Sequence, residues 1–103
     1  MVRLTYHKFG AKRTEYEGVQ YASKKEARYA QELDLRVRAG EVVFYLRQVP
    51  FHLPGGVVYR VDFAEFATNG EVHFVDVKGM RTKDYITKKK LVEALYPVTI
   101  EEV

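Results

Sequence analysis

The sequence contains no cysteine, which excludes a disulfide framework and every thiolate metal site. That absence fits a reducing compartment. No apolar run approaches the roughly 20 residues a helix needs to cross a membrane. The opening MVRLTYHKFGAKR lacks the apolar centre of a secretory signal. A cytoplasmic protein without membrane association is the expectation. No repeat, linker or low-complexity tract interrupts the chain, so 103 residues are expected to form one domain, 1–103, around one core.

What is present is a mildly basic chain, with formal net charge +3 and a pI of about 9.1. Lys8, Lys12 and Arg13 cluster in a basic N-terminal arm, 1–22, among Tyr6, Phe9, Tyr16 and Tyr21. Lys24 and Lys25 follow, and Arg81, Lys83, Lys88, Lys89 and Lys90 form a second cluster. Cations interleaved with aromatics suit phosphate contacts and base stacking. Charge alone favours the plainer reading, a solvated basic surface over core aromatics.

Residues 1–22 read as irregular or weakly extended, broken at Gly10 and Gly18. Ser23-Lys24-Lys25-Glu26 is a capping box opening a helix to Ala39, with Gly40 as terminator. On it Glu26, Ala30, Leu33 and Val37 share one face. VVFYLRQV (42–49) reads as a strand ending at Pro50, and Pro54-Gly55-Gly56 as a turn. Strands follow over 57–66 and 71–79, then a helix over 84–95 and a short strand over 98–103. The order α-β-β-β-α-β predicts an α/β fold with a central mixed sheet flanked by helices.

The stretch VDFAEFATNGEVHFVDVKG (61–79) puts Asp62, Asp76 and Lys78 in strands, where charge needs a partner or a metal. A two-residue Asn69-Gly70 loop would set Thr68 opposite Glu71 and place the aspartates on opposite faces. A three-residue loop with a left-handed Gly70 sets Ala67 opposite Glu71 and Asp62 opposite Asp76. The second register is the expectation. It gathers Asp62, Ala64, Phe66, Val72, Phe74, Asp76 and Lys78 on one face and Val61, Phe63, Val75 and Val77 on the other, with Glu65 facing His73 as a favourable pair.

Facing carboxylates repel unless a divalent cation joins them, and hard oxygen ligands suit Mg²⁺ or Mn²⁺. Lys78, on the same face, could stabilise an anionic transition state or help activate a water. Glu26 has two readings, the return arm of the capping box or the third acid of a site, and the aspartates favour the second. Lys88 interrupts an apolar stripe of Tyr85, Val92 and Leu95, so it either snorkels or reaches toward the site. His7, His52 and His73 show no ligand spacing.

Asp62 followed by Asp76-Val77-Lys78, with Glu26 on a preceding helix, resembles the PD-(D/E)XK nuclease superfamily. EYEGVQYASKKEARYAQEL, QVPFHL, YRVDFAEF and VDVKGMRTKDYITKKKL look like small phage-encoded endonucleases, a compact form similar to archaeal-type Holliday junction resolvases. The resemblance covers roughly residues 20–103 and implies a restriction-endonuclease-like core. Two positions depart from it: Val61 stands where the motif has proline, and Asp76 where glutamate is more frequent. The resemblance implies that Asp62, Asp76 and the Val77 carbonyl would hold Mg²⁺, with Mn²⁺ substituting, and that Glu26 would complete the acidic set. Lys78 would orient the attacking water, Ser23 would lie near the scissile phosphate as well as capping the helix, and Gln48 could bind the water or phosphate. Lys8, Lys12, Arg13, Lys24, Lys25, Arg81, Lys83 and Lys89 would contact DNA.

The expected activity is structure-selective cleavage of four-way DNA junctions in recombination and repair. It would be carried out by a homodimer without a small-molecule cofactor, in the host cytoplasm if the chain is phage-encoded. A less selective endonuclease acting on duplex, flap or fork DNA would share every catalytic residue, and a non-catalytic DNA-binding module would not need the acids.

Overall fold

The computed structural model describes the backbone of residues 2–6 and 12–103 and the side chains of 13–103. Where the sequence suggested irregular or weakly extended chain, β1 (Val2–Tyr6), β2 (Lys12–Tyr16) and β3 (Val19–Tyr21) form an antiparallel sheet. Its β2–β3 turn uses Glu17 and Gly18, both left-handed at φ 51° and 76°. Two such residues make the tight turn that matches strand twist, and a glutamate there gives no Asn-Gly signal to read. Tyr16 and Tyr21 are therefore not free for base stacking: Tyr21 is buried, and the Tyr16 hydroxyl donates to Asp34. Tyr6, Phe9 and Gly10 lie outside the described side chains.

α1 (Lys24–Arg38) starts at Ser23, whose Oγ accepts the Glu26 N–H at 3.0 Å, and gives way to a left-handed Gly40. Its buried stripe is Glu26, Ala27, Ala30 and Leu33. β4 (Val42–Leu53), β5 (Val57–Ala67), β6 (Val72–Asp76) and β7 (Ile100–Glu102) make a second sheet in that order, with only β6–β7 parallel. α2 (Lys83–Leu95), capped by the Thr82 hydroxyl, links that parallel pair. β4 continues through Pro50 instead of ending there, because an edge strand can face a missing N–H outward without losing a ladder bond. The molecule is a mixed α/β fold with a four-stranded mixed sheet flanked by two helices, compatible with a restriction-endonuclease-like core.

The three-residue loop forms. Gly70 is left-handed, Ala67 N–H donates to Glu71, and Phe63 pairs with Val75. Glu65 does stand opposite His73, but the two do not pair. Glu65 turns inward to Tyr29 and Arg36 while His73 bonds Glu71 and Glu101, since α1 offers the buried acid better donors.

The helices cover opposite faces. Val75 packs in a cluster with Ala27, Ala30 and Leu33 of α1, and neighbouring Phe74 packs against a cluster with Tyr85 and Val92 of α2. Alternation predicts that Val61 and Phe63 share a face, yet Val61 lies in the α2 cluster and Phe63 in the α1 cluster. β4 reverses in step: Arg47 sits over the Tyr21 ring on the α1 side, and Val49 packs on the α2 side. The residues between are Gln48 and Asp62, bracketed by the pairs Arg47–Phe63 and Val49–Val61. Gln48 is left-handed at φ 52°, a conformation that costs a non-glycine residue about 1–2 kcal/mol. The two strands exchange faces at this point, and Asp62 stands at the crossing.

Candidate functional site

Beyond the Phe63–Val75 pair the β5–β6 ladder gives way to side chains. The Asp62 N–H donates to Asp76 Oδ1 at 2.9 Å, and the Val77 N–H donates to Asp62 Oδ2 at 2.9 Å. Each aspartate thus replaces a carbonyl that the ladder would have supplied. The Tyr59 hydroxyl donates to Asp76 Oδ2, and Gln48 Nε2 donates to Asp62 Oδ1 at 3.3 Å. Both acids are buried. Burial pushes the Asp62 carboxyl above its ordinary range, the Val77 N–H partly offsets this, and the Asp76 charge adds to it.

Glu26 comes from the first turn of α1. Only half of its capping box forms: Ser23 caps the Glu26 N–H, but the Glu26 carboxylate turns to the site. There it is buried, its Oε2 has no hydrogen-bond partner, and Arg47 Nη2 stands 3.7 Å away. Its carboxyl is pushed up to about 7, first by burial and then by the Asp62 charge, against the lowering pull of Arg47 and Lys78. Lys78 is half-buried with Nζ 4.4 Å from the centre of the Tyr85 ring, and its charge lowers the carboxyls of both Glu26 and Asp62. Glu26, Lys78 and the Asp62–Asp76 pair therefore lie where the start of α1 faces the middle of β5 and the end of β6.

Other expected participants stand elsewhere. Lys88, half-buried, bonds the exposed Asp84 one turn back at 3.0 Å. Lys89 bonds Glu102 at 2.8 Å, and Arg81 bonds the same carboxylate at 2.9 Å, so neither is an unpaired surface cation. Lys25 Nζ donates to the carbonyls of Lys78 and Val103, tying the α1 start to the segment after β6. Lys24, Lys83 and Arg13 are exposed. Lys8 and the Lys12 side chain lie outside the described residues.

Two residues enter the site unannounced. Arg47 reaches Glu26, and Tyr59 binds Asp76. Their signal in the sequence was hidden by the face reversal, because alternation counted from Phe63 through Asp62 assigns Tyr59 to the wrong side, as counting from Val49 through Gln48 does for Arg47.

Among the described residues, no three His, Asp and Glu side chains converge as a ready-made ligand group. The donors nevertheless suit a hard divalent cation: all are carboxylate oxygens, and Glu26 Oε2 is a buried acceptor without a donor, held beside a second acid. Asp62 and Asp76 are less available than Glu26 Oε2, since both oxygens of each already accept a hydrogen bond. No curated protein matches the chain. Residues 6–101 match the family described as "Protein of unknown function (DUF1064)", and the chain belongs to that family.

Proposed function

We propose that the chain is a metal-dependent, structure-selective DNA endonuclease that cleaves four-way junctions as a homodimer. The observation that carries this reading is the buried Glu26 carboxylate beside Asp62, whose Oε2 has no hydrogen bond and only the Arg47 ion pair at 3.7 Å, with Lys78 at hand. A fold stabilised only for its own sake gains nothing from an acid in that condition.

Hydrolysis adds water across one P–O bond of the DNA backbone, leaving a phosphate on one end and a hydroxyl on the other. Asp62, Asp76 and the Val77 carbonyl would hold Mg²⁺ or Mn²⁺, which supplies Lewis acidity toward the phosphate. Glu26 titrates near neutrality, the range in which a carboxylate best takes a proton from the attacking water. Lys78 and Arg47 bring positive charge to where the phosphate gains negative charge. Ser23 stays the cap that aims Glu26. Exposed Lys24, Arg28, Lys83 and Lys90 provide sequence-independent phosphate contacts. Selectivity for branched DNA then rests on shape and bending, and a twofold dimer would supply paired cuts.

The test is cleavage, with Mg²⁺, of a labelled four-way junction mixed with linear duplex of the same sequence. Paired, near-symmetric cuts confined to the junction are expected. Equal attack on the duplex keeps the nuclease and removes the junction selectivity; binding without cleavage under any metal makes the protein a DNA-binding module.

A further inference from the structure

Gln48 is a left-handed glutamine inside a β-strand, at φ 52° with strand residues on both sides. Glycine, asparagine or aspartate occupies such a position with far less strain. Its place compounds the oddity. It sits across from Asp62, at the point where β4 and β5 exchange faces, and its amide reaches the Asp62 carboxylate. Backbone strain of this kind persists where the surrounding structure imposes it, and it gathers at functional sites.

We infer that Gln48 is the positioning residue for Asp62. Its backbone makes the crossing that frees Asp62 from the regular alternation, and its side-chain amide fixes the carboxylate. With Gln48 on Oδ1 and the Val77 N–H on Oδ2, the Asp62 carboxylate is held from both ends. The plane so fixed sets which lone pairs remain for a cation or a water. Gln48 itself needs no contact with substrate. This assignment rests on the nuclease reading only for its catalytic consequence; the geometric part stands without it.

Two substitutions separate the backbone from the amide. Q48G keeps the left-handed turn without strain and deletes the amide. Q48N keeps an amide on a residue that tolerates the left-handed region, but shortens its reach. In Q48G the Val77 amide is expected to exchange with deuterium at least tenfold faster than in the parent, because its acceptor is no longer held. Phe63 and Val75 amides should exchange as before, and the melting temperature should be unchanged or higher. Mn²⁺ affinity, read by paramagnetic titration without DNA, should fall about tenfold or more. The turnover number on junction DNA should fall likewise while the dissociation constant for junction DNA stays within twofold, and Q48N should recover part of each loss.

Q48G with parental Val77 protection and parental Mn²⁺ affinity would overturn the inference. A parent that cleaves no DNA, yet loses Val77 protection on Q48G, sinks the nuclease reading and leaves Gln48 in its positioning role.

Discussion

Glu26 and Glu65 are buried to nearly the same degree, at 4% and 2% exposure, and both lie between α1 and the sheet. Their surroundings differ. Glu65 receives the Tyr29 hydroxyl on one oxygen and Arg36 at 3.1 Å on the other. The Tyr29 hydroxyl is itself pushed up, by burial and by the bond to Glu65, so it stays a donor across the accessible pH range. Glu26 has an arginine at 3.7 Å, a repelling aspartate and an oxygen with no donor. A buried acid that serves the fold is supplied with donors; on the proposed reading, the one left short of them is the one that acts on the water and phosphate.

The sharpest break between the two regions is catalytic. D62N on the Glu26 side should lower the turnover number on junction DNA by at least a factor of about 10³, or about 4 kcal/mol of barrier, with binding held within twofold. Gel-based cleavage and binding titrations would measure both.

E65A should act on the other quantity, lowering unfolding free energy by about 3 kcal/mol in urea because Tyr29 and Arg36 lose their buried acceptor. Cleavage per folded molecule should stay at the parental rate; a specific loss of rate would end the division of roles.

E26Q should move stability the opposite way. A carboxyl raised from 4.5 to about 7 stabilises the fold fully below pH 4.5, and that contribution is lost as pH rises to about 7. The loss over that interval is about 3 kcal/mol. Removing the charge should therefore stabilise the protein at pH 8 by about 1–2 kcal/mol and flatten its melting temperature between pH 4.5 and 7, while cleavage falls. Calorimetry across that range decides it.

Mg²⁺ should stabilise the parent at pH 8 by about 1.4 kcal/mol at ten times its dissociation constant, and EDTA should reverse the gain. D62N should show little of this. The smallest effect belongs to Lys88: K88A should change stability by less than about 0.5 kcal/mol and leave cleavage alone, since its ion pair among the described residues is with exposed Asp84.

Much of the main sheet was legible because its signals are local. Asn69-Gly70 and the apolar alternation on either side mark the hairpin but admit two registers, and the one that forms was preferred because only it brings Asp62 and Asp76 together; Ser23 and Gly40 mark the ends of α1. The three N-terminal strands were not legible, because their turn rests on Glu17 in a conformation glutamate rarely adopts. Strand β4 was read too short because a proline stops a central strand but not an edge, and edge position is a property of the assembled sheet. Lys88 and Lys89 were weighed by spacing along α2, while their partners Asp84 and Glu102 were chosen by which side chain the fold brought nearest.

The sequence by itself determined the order of elements in the main sheet, the place of its hairpin and the identity of the acids, since turn chemistry and alternation act over a few residues. Tertiary structure decided which acid lacks a donor, that Arg47 and Tyr59 join the site, and that β4 and β5 exchange faces at Gln48. Desolvation and charge–charge contact depend on what lies across the fold, and no spacing along the chain encodes them.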